Sequence, residues 1–587
     1  MLNFYTRGGQ LALHTLHMFK QICMATFLVS FCVGLGVFAL LFFIKTTSYQ
    51  RCLYKEHLHA EFMVNMSQND PTRITQEFAC GQGGRIPRNV RSLDVLKNPH
   101  ILKHMAYVDK TCWQILNQSL WGALFIFVLL LAFFIYRGYI TSKKKLERGS
   151  QIVSAKRLKK NLQKTDQASD LYLDHLPLAQ DKETSHILIT GTTSAGKTNC
   201  FHTLMPQIRN RLNRALIVDM TGNFVSKYYR EGQDLLLNPF DQRTEHWSPW
   251  AECLTETHYD TLGASIIPET IKGDEFWGQA GKVLLSAALN KLKDERNIQH
   301  LYHILVRSPL KEFEKFFEGT DAVSYTHAEG EKMTLSVRAT LTNHIQGFKF
   351  LRPTSNAFSL REWVKNEKED QWLFLTARPD QRASLIPLIS AWLDTAINAL
   401  MACSQDEDRR LWFIIDELPS LQELPSLTTG TAEVRKYGGC ILAGVQNDPQ
   451  LLETYGHHQA HAILDLFNTK IFFRNTDSYS TERISKNLGE AEITEQIETL
   501  SYGAHNIRDG VSLSPRTHIT SLVLPTEIAN LQNLEAFVKL PGSHPICKIK
   551  MTYKNIPSIA LDFKPLSETH LLKLRLMNEG IGLRDEQ

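Results

Sequence analysis

The sequence predicts an α/β nucleotide-binding fold carried on a two-helix membrane anchor. Three features predict it: two long apolar blocks near the N-terminus, a phosphate-loop pattern directly after an apolar run, and further short apolar runs separated by helical or loop segments. The chain has 587 residues, too many for one ordinary core, and about one domain per 100–200 residues gives three or four units. Hydrophobic residues are 43% and charged residues 21%, close to globular norms, so class must be read from position. The net charge of +4 neither requires nor excludes nucleic acid, which depends on local patches. Ten cysteines without a CxxC pair argue against a zinc ribbon or a thioredoxin-type site.

The first apolar block, Ile22 to Ile44, is 23 residues without a charge, bracketed by Lys20 and Lys45. At about 1.5 Å per residue it crosses a hydrocarbon core of about 30 Å. A cleavable leader has a shorter apolar stretch of about 7–15 residues, so the length favours an uncleaved anchor. The second block runs from Leu120 to Ile140, with Trp113 and Trp121 placed for an interface belt. The boundaries expected are a tail over 1–20, membrane helices over 21–44 and 120–140, a far-side segment over 45–119 and a basic linker over 141–175.

Arg137, Lys143, Lys144, Lys145 and Arg148, followed by Lys156, Arg157, Lys159 and Lys160, mark the cytoplasmic side by the positive-inside rule. The same cluster suits anionic lipid head groups better than nucleic acid. Cys52, Cys80 and Cys112 fall in the far-side segment. One disulfide is open to them, and its partners cannot be deduced from spacing.

His186 to Thr190 is a buried-strand pattern leading into Gly191-Thr192-Thr193-Ser194-Ala195-Gly196-Lys197-Thr198. This is GxxxxGK[ST] in its required setting, strand before and helix after. The glycines let successive N–H groups turn toward phosphate oxygens, and the helix N-terminus adds a favourable dipole. Lys197 is placed for the β and γ phosphates of ATP, and the Thr198 hydroxyl for Mg²⁺. Pro206 is expected to kink or shorten the helix that follows.

Leu411 to Leu418 is an apolar run ending in Asp416 and Glu417. At the C-terminal edge of a buried parallel strand, Asp416 would serve the Mg²⁺ shell and Glu417 would polarise the attacking water. Residues 215–219, 371–376, 440–445 and 470–473 are further apolar runs. Their alternation with helical segments implies a parallel, doubly wound sheet. Asp219 and Gln446 also end strands. Gln446 reads equally as a γ-phosphate sensor or as a strand-end cap. Arg435 reads as a solvated helix-end charge or as a residue reaching a neighbour's γ-phosphate.

Strand spacing breaks between 256 and 365, where Trp277, Ala280, Leu284, Ala287 and Lys291 follow helical periodicity and Leu301 to Phe317 is helix-like. The reading is a helical insertion at 256–365 in a nucleotide domain of 176–255 and 366–562, with a short tail at 563–587. His457, His458 and His461 read as a solvated or packed cluster before a metal site. There is no HExxH glutamate and no Ser-His-Asp or Cys-His nucleophile pattern.

Taken together, the two apolar blocks, 191–198, Asp219-Met-Thr-Gly222, Asn238-Pro-Phe-Asp241 through Trp247-Ser-Pro-Trp250, Ile414-Ile-Asp-Glu417, Val434-Arg-Lys-Tyr-Gly-Gly439 and Ala443-Gly-Val-Gln446 resemble the conjugative coupling proteins of the TraD and TrwB type. The resemblance covers most of residues 20–560. It implies a RecA-like P-loop ATPase domain with an inserted all-α domain, assembled as a homohexamer around a channel. It also implies a multi-pass protein of the bacterial inner membrane, with residues 45–119 periplasmic and the bulk cytoplasmic. Implied partners are single- or double-stranded DNA with little sequence preference, a relaxase–DNA complex, and inner-membrane components of a type IV secretion system. Arg435 matches the family's arginine finger acting in trans, and DNA-stimulated ATP hydrolysis is expected. Met220 departs from the family's usual proline, and a long acidic docking tail is expected to be missing. Two other functions fit the same residues: a coupling ATPase for protein effectors, and a membrane scaffold gated by nucleotide.

Overall fold

The apolar runs line up in one mixed sheet, buried on both faces. The structure is a computed structural model that describes residues 2–66, 74–80, 88–141, 145–267, 275–326, 330–354, 356–367, 370–501 and 510–567. It divides into two units, residues 1–145 with 494–517 and residues 146–493 with 518–587.

In the first unit, helices α1 (Leu2–Lys45), α2 (Ser48–Met66) and α3 (Pro99–Thr141) dominate. With 44 and 43 residues, α1 and α3 are each about twice as long as a hydrocarbon core is thick. The apolar blocks are thus the inner parts of longer helices, whose polar flanks contain no interior proline to stop them. The two helices pack directly: a Cβ on Gly34 would lie 3.0 Å from the Ala123 Cβ, and Lys45 Nζ donates to Gln118 Oε1 at 3.0 Å. Phe27, Phe31, Phe125 and Ile135 stay exposed, an apolar surface that fits a membrane anchor. Helix Arg382–Met401 is also long and apolar, but 78% of its apolar window is buried, which makes it a core helix. Between α1 and α3, the strands Thr75–Phe78 and Arg88–Arg91 pair antiparallel. A Cys52–Cys80 disulfide ties α2 to the end of the first strand and leaves Cys112 free. Lys143 and Lys144 of the basic run lie outside the described residues.

The second unit holds the main sheet, whose strands are numbered here in chain order. They are β1 (Ile152–Ser154), β2 (Ile187–Thr190), β3 (Arg214–Asp219), β4 (Leu235–Leu237), β5 (Trp372–Thr376), β6 (Leu411–Ile415), β7 (Gly439–Val445), β8 (Thr469–Phe472), β9 (Glu535–Lys539) and β10 (Ile546–Lys550). The spatial order is β1-β10-β9-β8-β2-β7-β6-β3-β5-β4. From β8 to β4 every pairing is parallel, as the alternation predicts. The departure is at the other edge, where β9 runs antiparallel to β8 and to β10.

Alternate residues of each central strand enter opposite cores. Trp412, Ile414 and Leu442 pack on the face of helix α4 (Lys197–Asn210) with Phe201 and Leu204. Phe413, Ile415 and Ala443 pack on the other face, with helix α5 (Arg382–Met401) and with Leu284 and Leu341 from the stretch between β4 and β5. Pro206 lies inside α4 without ending it. That stretch is helical, with Glu256–Ile266, Glu275–Lys291, Ile298–Tyr302, Leu310–Phe317 and Glu331–Ile345 as its main pieces. The helix-like segment 301–317 is helical on either side of a break at Ser308 and Pro309, because proline has no N–H to continue the ladder.

One buried carboxylate ties the two ends of this stretch together, and a second ties it to α5. Glu252 accepts from the Leu360 and Arg361 amides, at 2.7 and 3.0 Å, and from Trp247 Nε1 at 3.0 Å. Asp394 on α5 accepts from the Ser265 hydroxyl, the Ser426 amide and the Asn398 amide group. Each thereby gathers donors that offset the cost of burying its carboxylate.

Candidate active site

The phosphate loop is shaped by what lies beneath it. Both glycines press on Phe473: a Cβ at Gly191 would lie 2.7 Å from the Phe473 Cβ, and one at Gly196 would lie 2.8 Å from its Cε1. Gly196 also has φ +129°, a region other residues avoid. Ser194 takes φ 62°, so the loop turns back on itself as a nest of amides must. Helix α4 begins at Lys197, and its first-turn amides have no intrahelical acceptor. Six of the eight loop residues line a cavity of about 550 Å³. Gly191 and Ala195 are buried behind it.

Asp416 and Glu417 reach the same cavity from the end of β6, two strands away on the β7 side. The approach explains Gly444 in the intervening strand: a Cβ there would lie 2.0 Å from the Asp416 carbonyl oxygen. Gln446, at the end of β7, joins the two groups. Its amide donates to Glu417 Oε1 at 3.2 Å, and its side-chain oxygen accepts from the Thr193 hydroxyl at 3.4 Å. Lys197 is buried and donates to the Gly191 carbonyl at 2.6 Å. Thr198 lines the cavity beside it.

The electrostatics follow from burial. Desolvation pushes Glu417 up to about 7, against the pull of Lys197 and the Gln446 amide. Desolvation and then Asp219 push Asp416 up to about 6, with Lys197 and Arg382 opposing. Lys197 is itself lowered by desolvation, which the two carboxylates counter. Two carboxyls held above their usual range beside a buried ammonium form a site that an oxygen-seeking dication and a polyanion would together relieve. The Thr198 hydroxyl and the Asp416 carboxylate are the hard oxygen donors that suit Mg²⁺.

Not every expected residue converges here. Asp219 is fully buried, and its carboxylate accepts from the Phe224, Val225 and Thr221 amides. It caps the next helix and acts on the site only through Asp416. Arg435 is exposed and precedes β7, at the sheet edge opposite the cavity. The seven residues of β7 separate it from Gln446 by about 20 Å. A kink at Gly456 directly precedes the histidine run, and His461 meets the Tyr479 hydroxyl. Among the described residues the one grouping with metal-ligand spacing is Cys52, Glu56 and Cys80, whose thiols are joined in the disulfide.

Sequence reasoning missed Arg382, Asn199, Asn533, Leu534 and Tyr553, all on the cavity wall. Arg382 donates to the Met220 carbonyl at 3.1 and 2.5 Å. Its signal was its place, the first residue of an apolar helix following a strand that ends at the ligand edge.

Comparison with known proteins places these features in a group. The family described as type IV secretion-system coupling protein DNA-binding domain matches residues 170–552. The coupling protein TraD of Escherichia coli (strain K12) is 30% identical over 578 residues, 95% of this chain and 79% of TraD. The bacterial conjugative coupling protein TrwB, solved unbound without its N-terminal 70 residues, is 30% identical. Its TM-score is 0.65, covering 72% of this chain and 97% of that one. TrwB bound to the ATP analogue ADPNP is similar at 29% identity and TM-score 0.65, over 72% and 98% of the two chains. TrwB has also been solved with ADP and Mg²⁺ and with the GTP analogue GDPNP.

Proposed function

The chain belongs to the type IV secretion-system coupling proteins, as a conjugative coupling ATPase with a RecA-like nucleotide-binding domain, and from that premise we propose how its residues act. ATP binds along the 191–198 loop. Lys197 leaves the Gly191 carbonyl to neutralise the β and γ phosphates, and the loop and first-turn amides hold the remaining oxygens. Thr198 and Asp416 hold Mg²⁺, which supplies charge neutralisation at the transferring phosphoryl group. Glu417 orients the attacking water and accepts its proton, and Gln446 couples Glu417 to the loop. Arg435 serves the nucleotide of the neighbouring subunit in a homohexamer, since it cannot reach its own.

At the larger scale, residues 21–44 and 120–140 cross the inner membrane twice and place 45–119 in the periplasm. The helical stretch 256–365 forms an inserted all-α domain in the nucleotide domain of 176–255 and 366–562. The protein recruits a relaxase–DNA complex and drives it into the secretion channel, with DNA stimulating turnover. The observation that carries this reading is the convergence of Lys197, Asp416, Glu417 and Gln446 on one cavity. ATP turnover by the full-length protein in detergent, with and without single-stranded DNA, tests it. Turnover rises with DNA and vanishes in Lys197→Ala; a Lys197→Ala protein that hydrolyses ATP at the wild-type rate overturns it.

A further inference from the structure

The cavity has a second end, beyond the phosphate loop. The catalytic carboxylates lie on the β7–β6 side of β2. The opposite wall is Asn533, Leu534 and Tyr553, which flank β9 and β10 on the β8 side. The antiparallel turnover of those strands is what brings them there. Because β9 runs against β8, its first residue sits at the sheet's ligand edge, and Glu535 pairs with Lys550 at the end of β10. Leu534 and Tyr553 therefore emerge at the same edge as the loop.

Both are fixed in place. The Leu534 amide donates to the Ala195 carbonyl at 2.8 Å, and the Met551 amide donates to the Leu534 carbonyl at 2.8 Å. Asn199, one residue past the loop and 5% exposed, bridges both neighbours of Tyr553. Its Nδ2 donates to the Thr552 carbonyl at 3.0 Å, and its Oδ1 accepts from the Lys554 amide at 2.6 Å. Yet Tyr553 itself is 70% exposed. A buried amide thus spends its hydrogen bonds on holding an aromatic residue that contributes nothing to the core, at the rim of a polyanion cavity.

We propose that Tyr553, held by Asn199, is the nucleobase platform of this cavity and takes the purine of a nucleoside triphosphate by stacking. The assignment rests on the nucleotide-binding reading above and adds the base subsite to it. An aromatic face stacks on any base, and the Asn533 amide offers both a donor and an acceptor to a base edge. The subsite therefore accepts adenine and guanine alike. Tyr553 acts on binding alone, because the reacting phosphate lies toward the carboxylates on the other side of β2. Asn199 is a positioning residue.

The test measures dissociation constants of the full-length protein with Mg²⁺ for ATP, GTP and inorganic tripolyphosphate. Tyr553→Ala weakens ATP and GTP about tenfold each, the size of one lost stack, and leaves tripolyphosphate unchanged. It raises KM for ATP by a similar factor with kcat retained. Tyr553→Phe stays near wild type, and Asn199→Ala reproduces part of the loss for both nucleotides and none for tripolyphosphate. Unchanged ATP affinity in Tyr553→Ala overturns the proposal, as does equal weakening of ATP and tripolyphosphate or a loss confined to one purine. A wild-type protein that binds neither ATP nor tripolyphosphate overturns the nucleotide-binding reading itself, and the base platform with it.

Discussion

Glu417 ionises only near pH 7 in the folded protein because burial disfavours its charge. A carboxyl raised in this way stabilises the fold below its unfolded pKa, and that contribution is lost as pH rises through the folded value. The window here runs from about 4.5 to about 7. Across it the nucleotide-free protein loses on the order of 3 kcal/mol from this group. Glu417→Gln removes the effect, so its thermal midpoint exceeds wild type at pH 8 and approaches it at pH 5. Thermal unfolding at the two pH values, without nucleotide, checks this. As general base the same group must be ionised, so kcat/KM for ATP falls below about pH 7. The convergence of 191–198 and 416–417 on one cavity was legible in the sequence, because the phosphate-loop spacing gives weight to an apolar run that ends in two carboxylates. Arg382 and Asn199 were not, because each acts through backbone carbonyls or amides that come near only in the fold.

At the scale of elements, the site depends on how closely β6 and β7 approach. Gly444→Ala places a methyl group 2.0 Å from the Asp416 carbonyl oxygen, a backbone atom, with the buried Phe201 ring 3.3 Å away. It should abolish ATP turnover and lower the thermal midpoint. Gly36→Ala in α1, where a Cβ meets nothing within 4 Å, serves as the neutral control. Phe473→Ala removes the floor of the phosphate loop and should destabilise by about 3–5 kcal/mol, read by thermal or denaturant unfolding. The central strands were legible because they are continuous apolar runs buried on both faces. Strands β1 and β4 have only three residues each. Strand β9 begins and ends in half-buried Glu535 and Lys539, and β10 carries the exposed Lys548 and Lys550. Their edge position hid the antiparallel turn that brings Leu534 and Tyr553 to the site. The full lengths of α1 and α3 were hidden for a similar reason, since polar flanks carry no hydropathy signal.

At the scale of the whole molecule, the role proposed for Arg435 lies between chains. An arginine finger acting in trans makes a prediction that mixing can test. Arg435→Ala alone should lower kcat about a thousandfold while ATP affinity stays near wild type. Mixed with Lys197→Ala subunits, which keep the arginine but cannot bind ATP, it should recover part of its turnover. DNA binding through phosphate contacts should weaken about a thousandfold between 50 and 200 mM salt, whatever the sequence. By its own chemistry Arg435 reads alike as a solvated charge or a finger until a neighbour's phosphate is present, and it was the family resemblance that pointed to the finger. In the proposed function the loop holds ATP while Glu417 splits it. Paired measurement of ATP affinity and turnover in Glu417→Gln tests it most directly. The expected result is affinity at least as tight as wild type, with kcat reduced by a factor of about 10²–10⁴. Wild-type turnover in that variant would contradict it.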